Sequence, residues 1–144
     1  MPVPGSGKTA QGNFWAPKTI CDVLYAKGIG ADVLPILERT HGVQKSAYAS
    51  PGERPTVQTH FDSMLATIDL STPTEITLVD DVITKGATMM AAALRIWAVH
   101  PNATIYGFAV FRTRNFDDDI AAVVAPSFGK LRYSEEVDSI ARID

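Results

Sequence analysis

The stretch from Glu75 to Arg95, EITLVDDVITKGATMMAAALR, decides how the rest of the chain is read. Glu75 to Val79 is an apolar, β-branched run suited to a strand covered on both faces, and Asp80 and Asp81 stand side by side where that strand is expected to end. After Val82 and Ile83 comes Thr84-Lys85-Gly86-Ala87-Thr88, a turn of small residues, followed by Met89 to Leu94, good helix formers with no breaker. The order is therefore strand, acid pair, tight loop, helix. A helix N-terminus presents unpaired N–H groups and the positive end of a dipole, so a phosphate fits the loop from Thr84 to Thr88. Both threonine hydroxyls add hydrogen bonds there, and Gly86 lets the backbone come close. The carboxylates of Asp80 and Asp81 are badly placed for that phosphate but suit ribose hydroxyls or Mg²⁺. The loop is expected to take phosphate at one end and sugar at the other.

Composition narrows the class. At 144 residues the chain is expected to be a single domain, residues 1–144, with a sizeable core; a hydrophobic share of 46% with 20% charged residues is ordinary for a globular fold. Thirteen basic against sixteen acidic residues leave a net charge of −3, which argues against a broad nucleic-acid or acidic-membrane footprint, so any phosphate binding must be local. Cys21 stands alone, so no internal disulfide forms, in keeping with a reducing compartment. The opening residues lack a basic-then-apolar leader and the longest apolar stretch breaks at Arg95, so the expected location is the cytoplasm, with no membrane contact. His41, His60 and His100 share no zinc-ligand spacing with one another or with Cys21, and the acids of Asn115 to Asp119 read as a solvated turn or a helix N-cap.

Outward from the central stretch, Gly5-Ser6-Gly7-Lys8-Thr9 imitates a nucleotide-binding P-loop. That motif needs a glycine five residues before its last one, and Pro2 stands there. Pro17 to Lys27 reads as a core-facing helix with Pro in its first turn, and Ala31 to Leu37 as a short strand interrupted by Pro35, giving a strand-helix-strand opening of parallel type. His41 to Gln58 is polar and turn-rich and is expected to be a long loop. His60 to Thr67 reads as a returning strand, and Thr104 to Arg112 as a buried one whose end offers Arg112 and Arg114 to a phosphate or base. Ala121 to Ala125 and Phe128 to Tyr133 read as short strands, and Ser134 to Asp144 as a weak helix or frayed tail.

LVDDVITKGAT resembles the phosphoribosyl-pyrophosphate loop of the type I phosphoribosyltransferases: an apolar run, two acids, two apolar residues, then Thr-x-Gly-Ala-Thr. The opening MPVPGSG resembles that family's first strand and pyrophosphate loop, with Gly5, Ser6 and Gly7 offering backbone N–H groups and Lys8 a point charge. The resemblance looks nearest to the competence-type, amidophosphoribosyltransferase-like branch. It implies an α/β fold with a mostly parallel sheet, helices on both faces and a hood that is reduced or absent. It also implies a mobile lid at His41 to Gln58, with Lys45, ahead of Arg54, as the cation that follows the leaving pyrophosphate. The implied roles are Asp80, Asp81 and Lys45 for catalysis, Asp80 and Asp81 for Mg²⁺, and Thr84, Lys85, Gly86, Ala87 and Thr88 with Gly5, Ser6, Gly7 and Lys8 for the phosphates. The implied partners are phosphoribosyl pyrophosphate, a nitrogenous acceptor and a second copy of the chain. The alternative is a non-catalytic module that senses phosphoribosyl pyrophosphate or a nucleotide.

Overall fold

In a computed structural model, which describes residues 1–7, 14–43, 54–68, 72–113 and 125–143, the central stretch folds as strand, loop and helix. Nine elements follow in order: α1 Ala16–Ala26, β1 Leu37–Arg39, α2 Val57–Asp62, β2 Met64–Ala66, β3 Glu75–Ile83, α3 Ala87–Val99, β4 Thr104–Arg112, β5 Lys130–Ser134 and β6 Ser139–Ile143. The strand runs past the acid pair. β4 lies parallel to β3 and pairs with it from Glu75 opposite Thr104 to Ile83 opposite Arg112, so the ladder carries Val82 and Ile83 with it. Asp80 and Asp81 thus sit inside the second half of β3 rather than beyond its end.

The far side of β3 is taken by the chain's first residues. Val79 N–H donates to Met1 O at 2.8 Å and Val3 N–H donates to Val79 O at 2.9 Å, a parallel bridge centred on Pro2. Pro2 and Pro4 lack N–H groups, and the bridge uses neither: its donor from this segment is Val3. Met1's ammonium adds a bond to Thr77 O at 2.8 Å.

Alternation along β3 assigns its two faces. Ile76 and Leu78 join the main core with Met1, Val3, Leu37, Val57, Met64 and the buried Met89, Ala92 and Ile96 of α3. Gly107, opposite Leu78, keeps that face low: a Cβ there would come within 3.3 Å of Met89 Cγ. Val79 points the other way and is buried outside that core; α1 packs on β3 and buries Cys21. α1 and α3 both pack on β3, within a mixed α/β fold. β4 is a strand as expected but not the buried one expected: none of its residues is buried, and Tyr106, Phe108 and Val110 are exposed, since among the described residues it pairs with β3 alone.

The sheet as a whole departs from the expectation of mostly parallel strands. The described residues hold three two-stranded sheets, one parallel and two antiparallel: β1 with β2, and β5 with β6. The strand expected over Ala31 to Leu37 begins only at Leu37, beyond Pro35, and turns back on β2 instead of joining β3. Part of the expected loop and of the expected strand at His60 is α2, whose start is capped by Thr56 Oγ1, accepting from Thr59 N–H at 3.3 Å. The tail is a strand rather than a helix. Asp138, at φ 41°, closes the turn before β6, and Ile140 and Arg142 alternate inward with exposed Ser139, Ala141 and Ile143. Most of the proposed lid, residues 44–53, lies outside the described residues, as do residues 114–124 with Arg114 and most of the strand expected from Ala121. Among the described residues no helix is long and apolar enough to cross a membrane.

Candidate functional site

Parallel pairing brings two loops to one end of the molecule. The Met1–Val3 segment and β3 run in the same direction, so Gly5 to Gly7 emerge beside the end of β3 that carries the acids. A Cβ added at Gly5 or Gly7 would meet nothing within 4 Å, which leaves their backbone open to approach. Ser6 O accepts from Val43 N–H at 2.8 Å and ties the loop to the entry of the expected lid.

The acid pair is drawn together by the backbone. Asp81 N–H donates to Asp80 Oδ1 and Val82 N–H to Asp81 Oδ1, each at 2.9 Å. Both residues are half-buried. Burial, and then a hydrogen bond with the Asp81 side chain, push Asp80 up to about 7, while the positive charge of Arg39 works the other way. The site therefore disfavours the charged form of Asp80, and a bound cation or a donating sugar hydroxyl would favour it. Among the described residues no group of three His, Cys, Asp or Glu side chains could hold a metal ion. Two carboxylates nevertheless fit Mg²⁺, an ion usually held by one or two carboxylates, with substrate oxygens and water completing its shell.

The loop after β3 is shaped by one glycine. Gly86 is the N-cap of α3 at φ 95° and ψ 9°, a left-handed conformation that side chains resist, and no side chain caps the helix. Its Cα faces Leu131 of β5: a Cβ would stand 2.8 Å from Leu131 Cδ2. Among the described residues, no acceptor meets the N–H groups of Lys85, Gly86, Ala87 or Thr88. Those donors and the positive end of α3 are what an anion needs. Lys85 is exposed, Thr84 and Ala87 are half-buried, and Arg142 Nη1 donates to Thr84 O at 3.3 Å.

Beneath both loops lies a network that the sequence reading missed. Arg39, only 2% exposed, donates to Gly5 O, to Ser63 Oγ and, at 3.2 Å, to His60 Nδ1. Ser63 Oγ donates in turn to His60 O at 2.7 Å, and His60 Nε2 lies 3.3 Å from Thr88 Oγ1. Burial lowers Arg39 to about 10, and burial with the neighbouring Arg39 charge lowers His60 to about 4. The guanidinium thus stays charged and the imidazole neutral at neutral pH. One signal was present in the sequence: in Leu37-Glu38-Arg39 the two-residue period sets Arg39 on the face of Leu37.

Of the expected site residues, Asp80, Asp81, Gly5 to Gly7 and Thr84 to Thr88 gather at this end of β3, whereas Lys8 and Lys45 lie outside the described residues. Arg54 instead lines a cleft of about 200 Å³ on the hairpin side of the loop, with Thr56, Thr84, Lys85, Asp138 and Ser139. Neither Asp80 nor Asp81 is among the residues that line that cleft. No family model, curated protein or solved structure matches the chain.

Proposed function

We propose that the chain is a phosphoribosyltransferase-like enzyme that binds phosphoribosyl pyrophosphate with Mg²⁺ and transfers the phosphoribosyl group to a nitrogen nucleophile, releasing pyrophosphate. The observation that carries this reading is the division of one short segment. Two adjacent half-buried carboxyls lie at one end of it, and amides without acceptors among the described residues lie at the other, across Gly86. A ribose 5-phosphate has the matching division, hydroxyl donors on the ring and an acceptor-only phosphate on its arm.

In this reading Asp80 and Asp81 accept hydrogen bonds from the ribose hydroxyls and would hold the Mg²⁺, which when bound neutralises charge on the departing pyrophosphate. The amides of Lys85 to Thr88 hold the 5′-phosphate, and Gly5 to Gly7 offer N–H groups to the pyrophosphate. Fixing both ends of the sugar orients the anomeric carbon for displacement with little reorganisation. Lys8 and Lys45 belong to the same proposal as cations for the leaving group. So does pairing of two copies, which a light-scattering mass of one chain would overturn.

The test is to mix the protein with Mg²⁺, phosphoribosyl pyrophosphate and a panel of bases and amines, and to assay pyrophosphate. Release that depends on one acceptor supports the enzyme. Binding without release makes the chain a sensing module, and absence of binding removes the reading.

A further inference from the structure

The buried Arg39 and His60 have no place in the chemistry above, yet their geometry reaches it. A guanidinium donates and never accepts, so His60 Nδ1, 3.2 Å from Arg39 Nη2, must be the accepting nitrogen and the ring proton must sit on Nε2. Nε2–H then donates across 3.3 Å to Thr88 Oγ1. Having received that bond, the Thr88 hydroxyl must aim its own proton elsewhere, and among the described residues nothing else meets it. Thr88 stands in the first turn of α3, beside the open amides of the loop. Both residues behind it are only 2% exposed, so water does not scramble the order.

We infer that Arg39 and His60 are positioning residues, a one-way hydrogen-bond relay that keeps the Thr88 hydroxyl proton for the ligand and so selects an acceptor-only group, a deprotonated phosphate oxygen, at the head of α3. This rests on the loop being the phosphate end of a sugar-phosphate site. The neutral imidazole, lowered to about 4, keeps the relay in one state at neutral pH.

Two measurements test it. Nitrogen-15 NMR of the unliganded protein reads the His60 tautomer directly: a proton on Nε2 is expected, and a proton on Nδ1 would overturn the relay. Calorimetry with ribose 5-phosphate reads its consequence. Thr88→Val should lose roughly tenfold or more in affinity, the range for a hydrogen bond to a charged group. His60→Asn keeps an acceptor near the Nδ1 position for Arg39 but no donor for Thr88, and should lose about three- to tenfold. His60→Gln, which returns an N–H near the Nε2 position, should recover most of that. In a Thr88→Val background His60→Asn should cost no further affinity, a coupling that a merely structural role for His60 would not produce. If the unmodified protein binds ribose 5-phosphate and His60→Asn leaves that affinity unchanged, the relay is wrong and the sugar-phosphate reading survives. If the unmodified protein does not bind, both fall.

Discussion

The two ends of the segment from Asp80 to Thr88 make opposite electrostatic demands, and the same buried cation serves both. At the acid end, burial makes ionisation of Asp80 hard, and the charge of Arg39 partly offsets this. At the helix end that guanidinium instead fixes which nitrogen of His60 accepts, and with it how His60 meets Thr88. Acceptors are loosened at one end while donors are locked at the other. The comparison teaches that the polarity of a loop can be set one layer beneath it, by buried groups that lie outside it.

The largest effect should come from removing the acid end altogether. Asp80→Asn combined with Asp81→Asn should abolish binding of phosphoribosyl pyrophosphate in calorimetry while circular dichroism stays native; undiminished affinity would sink the sugar assignment.

Next comes the shared cation. Arg39→Met leaves Gly5 O, Ser63 Oγ and His60 Nδ1 without their donor in a buried site and should cost about 3 kcal/mol of stability in urea unfolding, with Arg39→Lys recovering only part. A loss under about 0.5 kcal/mol would show that water replaces the guanidinium without penalty.

A smaller effect isolates the helix end. Gly86→Ala meets both a φ of 95° and Leu131, and should cost about 1–3 kcal/mol. Adding Leu131→Ala should relieve the contact but not the backbone strain; no relief at all would assign the whole penalty to backbone conformation.

The smallest effect concerns pH, and its sign differs between the two ends. His60 falls from 6.5 to about 4 on folding, so between those values the unfolded chain binds the extra proton and this group makes stability rise with pH. Asp80 rises from 3.8 to about 7, so the folded chain holds the extra proton and stability falls as pH rises through that range. The two slopes oppose each other from about pH 4 to pH 6.5. Asp80→Asn should therefore expose a rising slope and His60→Gln a falling one. Each is at most about 1.4 kcal/mol per pH unit, and that of the partly exposed Asp80 is further reduced by solvent. Urea midpoints at pH 4.5 and 6.5 check this; parallel profiles for the two variants would contradict both shifts.

Much of the site was legible because its parts are contiguous. Strand, acids, Gly86 and helix follow one another in the chain, and each reports its own local preference: β-branched residues before, a left-handed cap at Gly86, helix formers after. α1, with Pro17 in its first turn, and β4, with its aromatic and β-branched run, were legible for the same reason. β5 was legible within the strand expected over Phe128 to Tyr133, but its partner β6 was missed although Ser139 to Ile143 alternates with a two-residue period, because five residues after a charged turn read equally well as a fraying helix.

What the sequence alone determined, then, is the local grammar of the loop, since backbone preference and hydrogen-bonding capacity belong to neighbouring residues. What only the tertiary structure decided is the layer beneath it. Arg39, His60, Ser63 and Gly5 meet because β1 turns back antiparallel on β2, with Arg39 opposite Met64, and because the chain's first residues lie along β3. A buried cation is tolerated only where distant segments together supply its acceptors, and no local pattern encodes that meeting.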